Sequence, residues 1–141
     1  MTNILRFRRF LSHTALCGLF ICSPCVNAAE RMASGKWEFA MTTDGNTHVM
    51  SQCITAEKAS EFNGDSKSAR EAAEKAAKGR CAINSYDIAG DTVTYSMTCG
   101  TLKIDSVTKF HGDSSDGSLV STANGLTTTT QVKARRLGAC P

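Results

Sequence analysis

From residue 37 the chain alternates. Trp37, Phe39 and Met41 are separated by Glu38, Ala40 and Thr42, the two-residue period of a strand with one buried face. Asp44-Gly45-Asn46 supplies turn chemistry, and Thr47 to Ile54 reads as the returning strand of a hairpin. The period then changes. Thr55 is placed to cap a short turn of helix through Ala56-Glu57-Lys58. After Asn63-Gly64, either Asp65 or Ser66 can cap a second helix running to about Lys78. That segment sets Glu71 four residues before Lys75 and Glu74 four before Lys78, and Gly79 ends it. It has almost nothing larger than alanine to bury, which predicts a surface helix inserted between strands.

The remainder is β. Cys81 to Ile88 and Thr92 to Cys99 flank the turn Ala89-Gly90-Asp91, and Leu102 to Phe110 follows Gly100. Gly112-Asp113-Ser114-Ser115-Asp116-Gly117 reads as a loose loop. Leu119 to Ala123 and Leu126 to Arg136 then close the chain around the tight-turn pair Asn124-Gly125. Successive strands joined by short turns make an antiparallel meander. The expected fold is mainly β, a curled antiparallel meander forming a half-barrel or barrel-like sheet, with a short Ala-rich surface helix.

The hairpin around Gly90 can be built residue by residue. Pairing Ile88 with Val93 and Tyr86 with Tyr95 makes one apolar face near the turn, but the same register continued would turn Cys81 and Ile83 to the opposite face. One bulge near Asn84-Ser85 repairs this, setting Ile83 against Met97 and Cys81 against Cys99. The expected disulfides are therefore Cys81–Cys99 and, by remainder, Cys53–Cys140, out of three possible pairings of four cysteines. No two of these cysteines are two or three residues apart and no histidine neighbours them, so bridging is preferred to zinc or redox chemistry.

The start of the chain sets the compartment. Arg6, Arg8 and Arg9 precede a mostly apolar run from Phe10 to Val26, and Val26-Asn27-Ala28 offers small residues for a signal peptidase. Residues 1–28 are read as a signal peptide and residues 29–141 as a single disulfide-stapled, β-rich domain, exported to the periplasm and soluble. Arg8-Arg9 leaves the general and twin-arginine routes both open. Leu16, Ile21 and Pro24 precede Cys17, Cys22 and Cys25, where a lipid-modified cysteine needs a small residue. Those three arginines account for the whole excess of 16 basic over 13 acidic residues, so the remaining chain carries no formal net charge. No basic stripe remains to follow a phosphate backbone, which excludes nucleic acid, and no stable membrane insertion is expected after cleavage.

Four separated segments then add up. Gly35-Lys36-Trp37-Glu38 opens the domain, followed by Ser51-Gln52-Cys53-Ile54-Thr55-Ala56-Glu57, by the run from Gly90 to Cys99, and by Arg136-Leu137-Gly138-Ala139-Cys140-Pro141. In this order they resemble an exported proteobacterial family known as domain of unknown function 3617. The likeness spans nearly all of the chain after residue 28 and implies a periplasmic, β-rich, disulfide-containing domain, with no activity to carry over. The segment Thr42 to Thr47 is shorter than the Met- and Pro-rich loop of many members, and the Ala-rich helix is longer.

Candidate chemistry is sparse. Met41, His48 and Met50 share one face of the first hairpin if its turn has an even number of residues, and thioether with imidazole suits copper, particularly Cu(I). The competing reading is a methionine in the core and a histidine at the rim. His111, with Asp113 and Asp116 nearby, could form an acid–base pair, although Asp and Gly at that density more often make a turn. The threonines 127–130 are ordinary sheet material, Asp113 to Gly117 lacks the further ligands of a calcium loop, and the common hydrolase, metalloprotease and phosphate-loop motifs do not occur. No catalytic residue and no cofactor is expected. The leading expectation is a non-catalytic binding or interaction module whose partner is a protein or a small molecule. The alternative is a lipocalin-like carrier in which Trp37, Phe39, Tyr86, Tyr95, Met97 and Phe110 line a cavity for an apolar ligand; a copper-binding protein is the second alternative.

Overall fold

The computed structural model describes residues 30–141. The signal peptide read at residues 1–28 and Cys17, Cys22 and Cys25 lie outside the described residues. Seven antiparallel strands form one sheet: β1 (Gly35–Thr43), β2 (Asn46–Ile54), β3 (Ala82–Ala89), β4 (Thr92–Cys99), β5 (Leu102–Phe110), β6 (Ser114–Ala123) and β7 (Leu126–Gly138). Their spatial order is β2-β1-β7-β6-β5-β4-β3. Strands β3 to β7 are a meander, and the β1–β2 hairpin joins it by pairing β1 with β7. Strands β2 and β3 are thus the two edges, and the sheet is open. The chain passes from one edge to the other through α1 (Ala56–Asn63) and α2 (Ser66–Ala77).

Local chemistry accounts for most of these elements. Thr55 caps α1 by accepting from the Lys58 amide at 3.2 Å, and Asp65 caps α2 by accepting from the Ser68 amide at 2.7 Å. The hydrogen bond from the Ser68 amide, and after it the Ser68 hydroxyl, hold the Asp65 carboxyl below its usual range. Asp44-Gly45 and Asn124-Gly125 each place both residues at positive φ, the backbone that matches strand twist in two-residue hairpins. The Gly90 hairpin has the derived register, with its irregularity between Ile83 and Ser85.

One segment differs from expectation. Ser114 to Gly117 is strand, not loop: Ser115 pairs with Phe110 on one side and Ala134 on the other. Pairing on both edges outweighs the turn preference of Gly, Ser and Asp, which is a local tendency only. Gly117 is required there because a Cβ would collide with the Val107 carbonyl of the neighbouring strand.

The register gives the sheet two unlike faces. The outer face carries Lys36, Glu38, Lys133, Arg135, Asp116, Lys109, Asp105 and Lys103. The inner face carries Trp37, Phe39, Ala134, Phe110, Val93, Tyr95, Tyr86 and Ile88, and both helices lie over part of it. Trp37 is fully buried, and its indole N–H donates to the Ala33 carbonyl at 2.9 Å, so the one tryptophan closes the core without an unpaired polar atom. Around it pack Met32, Ile54, Ala59, Val93 and Phe110.

The segment before β1 straps the helices down. The Arg31 guanidinium donates to the carbonyls of Phe62 (2.8 Å), Gly64 and Gly90 (3.2 Å). Asn63 bonds both the Met32 amide and the Met32 carbonyl. Disulfides join Cys53 to Cys140 and Cys81 to Cys99. The first fastens edge strand β2 to the chain's last residues; the second fastens the entry of β3 to the end of β4.

Candidate functional site: an apolar cavity beneath the second helix

The candidate site follows from the composition of α2. Its Ala69, Ala72, Ala73, Ala76 and Ala77 recur at helical spacing and make one stripe of methyl groups. Its charged residues lie off that stripe, with Arg70 pairing with Glu74 at 2.8 Å. The stripe faces the sheet, and Ala69 is buried. Here the alanine methyls do not reach the side chains of the sheet below them, and space remains between the two. The space between stripe and sheet is a cleft open to solvent on one side, lined almost wholly by half-buried apolar side chains.

The result is a cavity of about 340 Å³ between α2 and the β3–β4 hairpin. This lies within the roughly 300–1,000 Å³ range of ligand pockets, at its lower end. Ile83, Tyr86, Tyr95 and Met97 form the floor, Phe62 and Cys81 close the sides, and Lys58 with Glu61 stands at the rim. The Tyr86 and Tyr95 rings stack with centroids 6.1 Å apart. Burial pushes the Tyr86 hydroxyl pKa up, the neighbouring Tyr95 adds to it, and Arg31 partly opposes them. Tyr86 therefore presents a neutral phenol and an aromatic face to the cavity at neutral pH.

The helix is held over the cavity at several points. Arg70 donates to the Ile83 carbonyl at 2.9 Å, and the Ser66 hydroxyl accepts from the Ile88 amide at 3.1 Å. The Cys81–Cys99 bridge fixes the far end of the hairpin. These bonds fix the position of α2 relative to β3.

The six side chains proposed to line a cavity separate in the structure. Tyr86, Tyr95 and Met97 line it, Trp37 and Phe110 belong to the solid core, and Phe39 stacks beside Trp37 with centroids 6.4 Å apart. The residues that roof the cavity were not among them. The signal for them was present, five alanines on one helical stripe, but alanine alone does not distinguish a close-packed face from an underfilled one.

The other candidates fall elsewhere. His111 Nε2 meets Asp116 Oδ1 at 2.8 Å on an exposed surface, and Asp113 turns instead to Arg136 at 3.7 Å. The threonines act as cross-strand partners, Thr43 with Thr130 at 2.7 Å and Thr122 with Thr127 at 3.1 Å. Met41, His48 and Met50 share the inner face of the β1–β2 hairpin, away from the cavity. Among the described residues no group of three or more His, Cys, Asp and Glu is placed to hold a metal ion, and no helix is long and apolar enough to cross a membrane.

Fold and cavity together define an open, disulfide-linked antiparallel sheet with a helical crossover on its inner face. The chain belongs to the family described as Protein of unknown function (DUF3617), which matches residues 32–140. No curated protein and no solved structure matches it.

Proposed function

We propose that the protein is an exported, non-catalytic binding module that takes a small apolar ligand, or the apolar end of a larger one, beneath α2. The observation that carries this reading is the cavity itself: apolar floor and roof, with its charges confined to Lys58 and Glu61 at the rim. Burying an alkyl chain there gains roughly 0.8 kcal/mol per CH₂ removed from water. The helix-to-sheet tethers pre-organise the space, so little binding energy is lost in opening it. Two disulfides in a chain of this size accord with an oxidising compartment, the periplasm in this reading. Compared with a lipocalin, the ligand would lie between helix and sheet edge, not along the axis of a closed barrel.

A second reading, an interaction module for proteins, is favoured by β2. This edge strand has nine residues without proline, lysine, arginine or acid, and all but Ile54 are exposed. Natural edges usually carry such blocking residues, and an unblocked edge can accept a strand from a partner.

The test is titration of the disulfide-intact protein with N-phenyl-1-naphthylamine, followed by displacement with decanoate. Saturable 1:1 fluorescence enhancement, reversed by decanoate and abolished by Ala73→Trp, is the expected result. Absence of saturable binding would remove the ligand reading and leave strand addition at β2.

A further inference from the structure

The first hairpin carries a second set of side chains that the cavity does not use. Its turn is two residues long, Asp44-Gly45, and the pairing runs without a bulge from Thr43↔Asn46 to Gly35↔Ile54. That register makes Met41 and His48 a direct cross-strand pair and sets Met50, opposite Phe39, next to His48 on the same face. Directly opposed Cβ atoms lie about 5 Å apart and diagonal ones about 7 Å, within the combined reach of two thioethers and an imidazole.

Past Phe39 this face leaves the shelter of the core. His48 and Met50 are exposed, Met50 to 48 %, and Met41 is half-buried. None of the three belongs to the packed core, and the His48 ring has no hydrogen-bond partner among the described residues. Of the four methionines in the described residues, Met32 is core and Met97 lines the cavity; the other two flank one exposed histidine. Exposing a thioether gains nothing from water, because sulfur is a weak acceptor.

The charge environment selects among ligands for such a trio. β2 contains no Asp, Glu, Lys or Arg, and the inner face of β1 and of neighbouring β7 offers only Phe39, Thr43, Val132 and Thr130 nearby. Calcium, magnesium and manganese need carboxylate oxygens, and a structural zinc needs four nitrogen, thiolate or carboxylate donors. Two thioethers and one imidazole, with no anionic donor, match a soft monovalent d¹⁰ ion. We propose that Met41, His48 and Met50 form a three-coordinate Cu(I) site at the tip of the β1–β2 hairpin, separate from the apolar cavity.

The experiment is anaerobic competition for preformed Cu(I) between bicinchoninate and the protein, using material shown by thiol titration to have no free cysteine. One equivalent of copper withdrawn from the chelator is expected. The Met41→Leu/Met50→Leu double variant and His48→Phe should each weaken binding at least tenfold, while Val49→Leu, on the opposite face of the same strand, leaves it unchanged. Near-isosteric Met→Leu changes on an exposed strand preserve the fold, which circular dichroism checks directly. X-ray absorption of the 1:1 complex should show two sulfur scatterers and one nitrogen. Failure to withdraw copper, a loss under tenfold in the double variant, or an oxygen-dominated first shell would each overturn the proposal.

Discussion

Ala73→Leu tests the cavity from both sides at once. Ala73 is half-buried in the roof, above Tyr86, Tyr95 and Met97. Leucine adds three carbons to a space of about 340 Å³, and at roughly 0.8 kcal/mol per buried CH₂ their transfer contributes about 2.4 kcal/mol. Ordering the longer side chain costs about 0.5–1 kcal/mol. Helix propensity changes little, since leucine ranks close to alanine. The expected net effect is a stabilisation of about 1–2 kcal/mol, which for a domain near 110 residues raises the melting temperature by roughly 4–10 °C. The same three carbons occupy the ligand's place, so N-phenyl-1-naphthylamine affinity should fall at least tenfold. Differential scanning calorimetry and the fluorescence titration read the two effects separately. A well-packed helix–sheet contact would respond the other way, with overpacking lowering stability by about 1–3 kcal/mol. A lower melting temperature with unchanged probe binding would refute the reasoning.

Three further outcomes follow from the fold. The Cys53–Cys140 bridge spans 87 residues and Cys81–Cys99 spans 18. Loop entropy puts their contributions at roughly 4.6 and 3.2 kcal/mol. Chemical denaturation of the two paired Cys→Ser variants should therefore find Cys53→Ser/Cys140→Ser the weaker protein, and equal midpoints would count against the entropic account. Trp37→Phe retains most of the buried ring but leaves the Ala33 carbonyl without its donor, so urea unfolding should register a loss of about 1–3 kcal/mol. Tyr86 titrates higher when folded than when unfolded, so its contribution is intact below pH 10 and declines as the unfolded chain ionises above it. As the pH rises above 10, wild-type stability should drop more steeply than that of Tyr86→Phe, as followed by circular dichroism.

How far the sequence carried depends on the range of the interactions involved. The Gly90 hairpin was legible down to its bulge, because alternation fixes the face of every side chain and only one register turns Ile83 inward. The Thr55 cap and the Asn124-Gly125 turn were legible for the same reason, each being decided within four residues; the second cap stayed open between Asp65 and Ser66, and the first hairpin's register waited on the length of its turn. The join of β1 to β7 was not, since nothing local in Lys36–Thr43 specifies a partner about 90 residues away. Ser114–Gly117 was misread because its composition signals a turn, whereas strands on both sides hold it extended.

The candidate site shows the same division. Tyr86, Tyr95 and Met97 could be placed on one apolar face from the sequence. Their separation from Trp37 and Phe110 depends on where the helices lie, and that is set by tethers such as Arg31 to Phe62, Gly64 and Gly90. The alanines of α2 were read as a sign that the helix buries little. They do bury little, and the space they leave is the cavity.

The most direct test of the central claim is a methyl-resolved NMR titration of alanine-labelled, disulfide-intact protein with decanoate. The account predicts saturable shifts confined to the Ala69, Ala72, Ala73, Ala76 and Ala77 methyls, with Ala40 and Ala123 unmoved. Shifts scattered over the outer face, or none at saturating decanoate, would contradict a binding site beneath α2.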